Sequence, residues 1–178
     1  MNDVALEDLV FLDETGVNLA MVPLYGRAQQ GHRVYNMKPN KRGINVTLIG
    51  AMALRGVMAI LSFDGGTTGD IYRFYVRTVL VPQLWKGAVV VMDNLPAHKV
   101  DGIRTLIEDA GAKLVYLSPY SPDFNPIEHC WSKLKTYLRK VKARVREGLD
   151  EALTAGLELI ESEDIRNWFA HCYCHEPL

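Results

Sequence analysis

A chain of 178 residues with 48% hydrophobic side chains has the size of one domain and enough apolar material for a substantial core. No run of about 18 uncharged apolar residues occurs, which excludes a membrane-spanning helix, and Met1 to Asp8 carries acids where a secretory signal carries Lys or Arg. A net charge of −1 excludes a chain that coats nucleic acid indiscriminately, and three cysteines (Cys130, Cys172 and Cys174) make a poor disulfide framework. A single domain over 1–178, in a reducing cytoplasm, is the expectation.

In chain order, Leu9 to Leu12 is a short apolar run that ends in Asp13. Thr15-Gly16 supplies a turn signal before Val17 to Val22, so the pattern predicts a β-hairpin with Asp13 at a strand end. Gln29 to Gly43 is polar and reads as an exposed connection, with room for a short strand at Arg33 to Tyr35. Ile44 to Leu54 and Val57 to Phe63 are β-prone and flank Arg55-Gly56, a two-residue break of the hairpin kind. Thr67-Thr68-Gly69-Asp70 has the Thr-x-x-Asp spacing of a helix start, and Ile71, Phe74, Tyr75, Thr78 and Val79 recur with helical period as far as Pro82. Ala88 to Met92 predicts a buried strand followed by Asp93-Asn94. Ile103, Leu106 and Ile107 mark a second helix, and Lys113 to Leu117 another strand, so the two strands should run parallel. After a proline-rich stretch from Ser118, one long helix is predicted from Pro126 to about Arg146 and a last one from Leu149 to Trp168. This order is that of an α/β ribonuclease H-like fold, a mixed central sheet of about five strands with flanking helices.

In such a fold Asp13 and Asp93 end adjacent central strands. Two carboxylates so placed repel each other unless a cation lies between them, which is the physical reason to expect Mg²⁺ or Mn²⁺. A third acid must come from a helix, and Asn125-Pro126-Ile127-Glu128 reads as a helix start with Asn125 as N-cap and Glu128 at the third position. Each acid also has a plain structural reading: a strand-end Asp caps a turn, and a Glu at this position returns a hydrogen bond to the cap. Beyond Glu128, Ile127, Trp131, Leu134, Leu138, Val141 and Val145 form an apolar stripe. Ser132, Lys135, Arg139, Lys142 and Arg146 continue the line of Glu128, within a run from Lys133 to Arg146 that has seven bases and no acid. Such a line is a solvated face or a track for a phosphate backbone, and Lys135, Arg139 and Lys142 are its candidate DNA contacts.

Leu12-Asp13-Glu14-Thr15-Gly16, then Val91-Met92-Asp93-Asn94 with His98-Lys99, then Ser118-Pro119-Tyr120-Ser121-Pro122-Asp123-Phe124-Asn125-Pro126-Ile127-Glu128 with Trp131, resemble the motifs of the DDE transposases of the mariner-like superfamily, bacterial insertion-sequence branch. The resemblance covers nearly the whole chain. Thirty-four residues lie between Asp93 and Glu128, the spacing of the family's triad. The resemblance implies metal-dependent DNA cleavage and strand transfer by Asp13, Asp93 and Glu128 with two Mg²⁺ (or Mn²⁺) ions, and a TA target. It places a recurrent His at His98, which either supports a phosphate or metal-bound water or is a helix-entry His satisfied by backbone groups; Asn94 is a further candidate behind the carboxylates and Lys99 a further candidate DNA contact. Its partners are DNA at element ends and target, with a homodimer or a partner chain. Only about a dozen residues precede Asp13, so the family's N-terminal helix-turn-helix is expected to be absent. The competing readings are a ribonuclease H-like nuclease that only hydrolyses and a non-catalytic remnant that binds DNA or partner subunits.

His171, Cys172, Cys174 and His175 raise the possibility of zinc, but no second ligand pair stands at zinc-finger spacing. Trp85, Trp131 and Trp168 are read as core residues on helices, and Lys41 and Arg42 as solvated loop charges.

Overall fold

A computed structural model describes residues 4–41, 43–93, 102–117 and 124–173. Five strands, β1 (Leu9–Asn18), β2 (Asn45–Ala53), β3 (Gly56–Asp64), β4 (Val89–Met92) and β5 (Lys113–Tyr116), form one sheet in the order β3-β2-β1-β4-β5. β1–β2 and β2–β3 are antiparallel, whereas β1–β4 and β4–β5 are parallel. The helices are α1 (Gly69–Tyr75), α2 (Ile103–Asp109), α3 (Ile127–Val141), α4 (Arg146–Glu158) and α5 (Ser162–Tyr173). This is the expected ribonuclease H-like mixed sheet with flanking helices.

Strand alternation divides the core into two layers. Phe11, Val17, Val89 and Val91 pack under Trp131 and Leu134 of α3, Leu153 of α4 and Phe169 of α5. Val10, Leu12, Val90 and Met92 pack on the opposite face against Tyr72 and Tyr75 of α1 and Ile103 and Ile107 of α2. β4 is buried along its whole length, as a continuous apolar run in a parallel sheet requires. Among the described residues no helix is long and apolar enough to cross a membrane.

Several boundaries differ from the sequence reading. The hairpin expected at Thr15-Gly16 is absent: β1 runs straight through, paired with β2 from Phe11↔Met52 to Asn18↔Asn45. A full ladder plus burial of Thr15 and Val17 outweighs a local turn preference. The strand stops where Asn18 Oδ1 accepts the Ala20 N–H at 2.9 Å, a side chain competing with the ladder. Residues 33–35 form no strand. The first helix is capped by Thr68, whose Oγ1 accepts the Ile71 N–H, because the Thr67 hydroxyl is given to Glu14 instead. It continues as a π-helical turn over Val76–Leu80 and a 3₁₀ turn over Val81–Gln83 that contains Pro82.

The two long C-terminal helices are three. α3 ends at Val141, where Lys142 turns left-handed (φ 57°), and Arg144 donates to the carbonyls of Leu19 (2.7 Å) and Met21 (3.1 Å), drawing the chain away from the helix axis. Val141 and Val145, assigned by periodicity to the apolar stripe, are exposed. The helix expected over 149–168 breaks before α5, which starts where the Asp164 carboxylate accepts the Glu161 N–H at 2.9 Å, one half of a capping box.

Candidate functional site

The parallel ladder between β1 and β4 pairs Leu12 with Met92. Asp13 and Asp93 are the residues that follow this last pair, which brings two distant carboxylates to neighbouring positions at one end of the parallel ladder. Alternation turns Asp13 toward the face that α3 covers. Asp13 lies inside β1 rather than at its end and is only 8% exposed, while Asp93 follows β4 and is half-buried.

Trp131 joins the helix to this pair. Its indole N–H donates to Asp13 Oδ2 at 3.1 Å, and its ring is buried in the core. The residue paired with Asp13 across the antiparallel ladder is Gly50, where a Cβ would lie 2.9 Å from Trp131 Cη2 and closer still to Ile60. The missing side chain leaves the space through which the indole reaches the carboxylate. Glu128 stands one turn before Trp131 on α3, exposed, with its N–H on the Asn125 carbonyl at 3.1 Å. The residue before the first turn of α3 is Pro126, without a side-chain cap bond, and among the described residues the buried Asn125 carboxamide oxygen has no partner. The expected capping role of Asn125 is therefore not seen.

Burial raises the Asp13 carboxyl to about 7, assisted by the negative charges of Glu128 and then Asp93 and opposed by the N–H groups of Glu14 and Trp131. Both acids named with Asp13 thus act on it through space, although among the described residues no three His, Cys, Asp or Glu side chains gather closely enough to hold a metal ion alone. Neighbouring Glu14 is engaged elsewhere, through the Thr67 hydroxyl on the other face of the sheet.

One consequence is measurable on the metal-free protein. Between the usual carboxylate pKa near 4 and about 7, folded Asp13 keeps a proton that the unfolded chain has lost, so its contribution to stability falls as pH rises across that window. The full effect is on the order of 4 kcal/mol. Urea unfolding in EDTA should find Asp13→Asn gaining on wild type between pH 5 and pH 8; a difference independent of pH would mean that Asp13 is an ordinary carboxylate.

The basic run does not form one face. Lys133 is paired with Asp164, and this contact holds the Asp164 carboxyl below the usual range. Arg146 is bound by Asp64 (2.8 Å) and Asp150, Arg144 holds the connection after β1, and Lys142 donates to Asn36 Oδ1 at 3.1 Å from outside the helix. Lys142 therefore does not continue the line of Glu128 along α3. Lys135 and Arg139 remain on that line, half-buried. Asn94, His98, Lys99 and Arg42 lie outside the described residues, as do Ser118 to Asp123, Cys174 and His175.

Of the tryptophans, Trp131 is both core and hydrogen-bond donor to the site, a role legible only in its one-turn offset from Glu128. Trp85 follows α1 rather than lying on a helix; it donates to Asp8 Oδ1 at 3.2 Å under the guanidinium of Arg55. Trp168 is half-buried and stacks on His129.

The chain matches the family described as DDE superfamily endonuclease over residues 8–150. It is 29% identical over 90 residues to the transposable element Tc1 transposase of Caenorhabditis elegans, an alignment that takes in 51% of this chain and 32% of that protein. Its fold is similar to the Mos1 mariner paired end complex with Mn (TM-score 0.80, 18% identity, 96% of this chain and 54% of that chain). It is also similar to the Mos1 strand transfer complex (TM-score 0.75, 17% identity, 94% and 52%). The chain thus spans about a third of the Tc1 protein and about half of the Mos1 chains.

Proposed function

The chain belongs to the DDE superfamily endonucleases, and from that premise we propose that it is the catalytic domain of a transposase, cutting DNA and joining the freed end to a target through Asp13, Asp93 and Glu128. The observation that carries this reading is the state of Asp13: a buried carboxyl pushed to about 7 by its surroundings, including the two other acids of the triad. Burying a carboxylate beside like charges is unfavourable unless a cation compensates it.

The donors fit a hard divalent ion. All three are carboxylate oxygens, and Mg²⁺ is ordinarily held by one or two carboxylates completed by water and substrate phosphate, which suits a site that does not close into a three-ligand cage among the described residues. The Mos1 complex with Mn supports the same ion class. Asp13 and Asp93 would hold Mg²⁺ or Mn²⁺ from the strands and Glu128 from the helix, two ions in all. When bound, such a pair makes the attacking hydroxyl more acidic and stabilises the leaving oxygen.

The protein's share of the work is placement. The pairing of Leu12 with Met92 supports bringing Asp13 and Asp93 together, and the Trp131 N–H donates to the Asp13 carboxylate. Glu128, exposed on α3, is open to an incoming phosphodiester. In cleavage, water adds to phosphorus and the P–O3′ bond breaks, leaving a 3′-hydroxyl and a 5′-phosphate. In joining, that 3′-hydroxyl attacks a target phosphodiester, displacing a new 3′ oxygen at a TA step, without a covalent enzyme intermediate. His98 and Asn94, following Asp93 in sequence, would support the carboxylates, and Lys135, Arg139, Lys142 and Lys99 are the proposed DNA contacts. The proposed partners are DNA at the element ends and the target, with a second copy of the chain or a partner chain carrying a helix-turn-helix.

A duplex with a recessed 3′-hydroxyl, incubated with supercoiled plasmid in Mg²⁺ or Mn²⁺, tests this. Joined products that disappear with EDTA are expected. Nicking without joining would favour a hydrolytic nuclease, and the absence of both would favour a non-catalytic remnant.

A further inference from the structure

We propose that Lys38, Lys135 and Arg139 form a cradle for one backbone phosphate of nucleic acid, set beside the carboxylate centre; this deepens the reading of the chain as a DNA-acting domain and rests on it. The three side chains line one cavity of about 260 Å³ between the end of β1, the connection that follows it and α3. No carboxylate lines it, and none of the three cations has an ion pair or hydrogen bond among the described residues.

That arrangement is unfavourable in isolation. Lys135 and Arg139 stand one helical turn apart, where like charges repel, both are half-buried, and Lys38 adds a third charge from across the cavity. The nearby bases behave differently: Lys133 and Arg146 have carboxylate partners, and Arg144 and Lys142 have backbone or amide oxygens. Three cations facing one hollow, Lys38 from its exposed rim, suit an anion of comparable charge density.

Position and lining identify its class. β1 and α3 leave the carboxylate centre in the same direction, since Asp13 touches Trp131 at one point and Gly16 and Lys135 share the cavity at the next. Three residues of strand or two turns of helix put the cradle about 10 Å from the carboxylates. A strand whose scissile phosphate lies at Asp13 would therefore bring another of its phosphates to the cradle. Val17, Met21, Val22 and Leu24 supply an apolar wall for the sugar. Among the described residues no aromatic ring lines the cavity for stacking, and the Asn18 amide oxygen already accepts from Ala20. The subsite therefore holds backbone and is blind to base sequence.

The test is equilibrium binding of a labelled duplex to the full chain in EDTA, across a salt series. Lys38→Ala and Arg139→Ala should each lower the log–log salt slope by about one, equally on two unrelated sequences, while Lys38→Arg restores it. Arg146→Ala, which empties a clamp between β3 and α4, should leave the slope unchanged. The proposal is overturned by an unchanged slope in Lys38→Ala, by an equal loss in Arg146→Ala, or by no binding of duplex at all. Inorganic phosphate at fixed ionic strength separates the sources: weak competition supports a backbone subsite, and stoichiometric displacement of the duplex would make this a free-anion site. Because binding is read without metal, a lost slope with no nicking would leave the cradle and remove the catalytic reading. Nicking with an unchanged slope would do the reverse.

Discussion

Asp93→Asn is expected to lower Mg²⁺-dependent nicking by roughly 10³-fold or more while the domain stays folded. The substitution keeps size and shape at the position following β4 but removes one of the two strand-held charges on which a divalent ion would sit. It also removes a negative charge that pushes up the Asp13 carboxyl. In the absence of metal the melting temperature should therefore be unchanged or higher, the usual sign of a site whose groups are held together for function rather than stability. The combination is the informative part: a variant lost to misfolding would lose both activity and melting temperature. Nicking at the wild-type rate by a contaminant-free preparation would exclude Asp93 from the chemistry.

Trp131→Ala is expected to cost about 3–5 kcal/mol of folding stability, the range for deleting a large buried aromatic. The ring is 1% exposed between the sheet and α3, and Gly50 beneath it offers no side chain to fill the hole. Trp131→Phe separates packing from function. It retains an aromatic ring but removes the N–H that Asp13 Oδ2 accepts, so it should be less destabilising, with a hydrogen-bond share of about 1–2 kcal/mol. Without that donor the Asp13 carboxyl moves further up, and the alkaline rise of metal-dependent nicking should move with it. Urea unfolding and the pH profile of nicking check the two halves. An unshifted profile in Trp131→Phe would reduce the indole to a packing residue.

Much of the frame follows from local patterns. The apolar run that opens β1, the unbroken Val run of β4 and the helical periods of α1 and of α3 as far as Leu138 survive in the structure because burial, strand pairing and propensity agree at those positions. The spacing of Asp13, Asp93 and Glu128 was legible for the same reason, each lying beside a strongly patterned element. Where local signals conflict with long-range ones, the long-range ones prevail. Thr15-Gly16 reads as a turn, but an eight-residue ladder to β2 holds it extended. The charges from Lys133 to Arg146 read as one stripe, but their partners come from distant parts of the chain, Asp64, Asp164, Leu19 and Asn36.

Sequence alone thus placed Asp93 just after a buried strand and Glu128 at the start of a helix, but it put Asp13 at a strand end where β1 in fact continues to Asn18. Only the tertiary structure decided that Leu12 and Met92 pair just before the two aspartates, that Gly50 leaves room for Trp131 to reach Asp13, and that Lys38 lines one cavity with Lys135 and Arg139. Those are relations between residues tens of positions apart. Periodicity reports which face a side chain takes, whereas its neighbours across a sheet or cavity depend on register and packing, which the whole chain sets together.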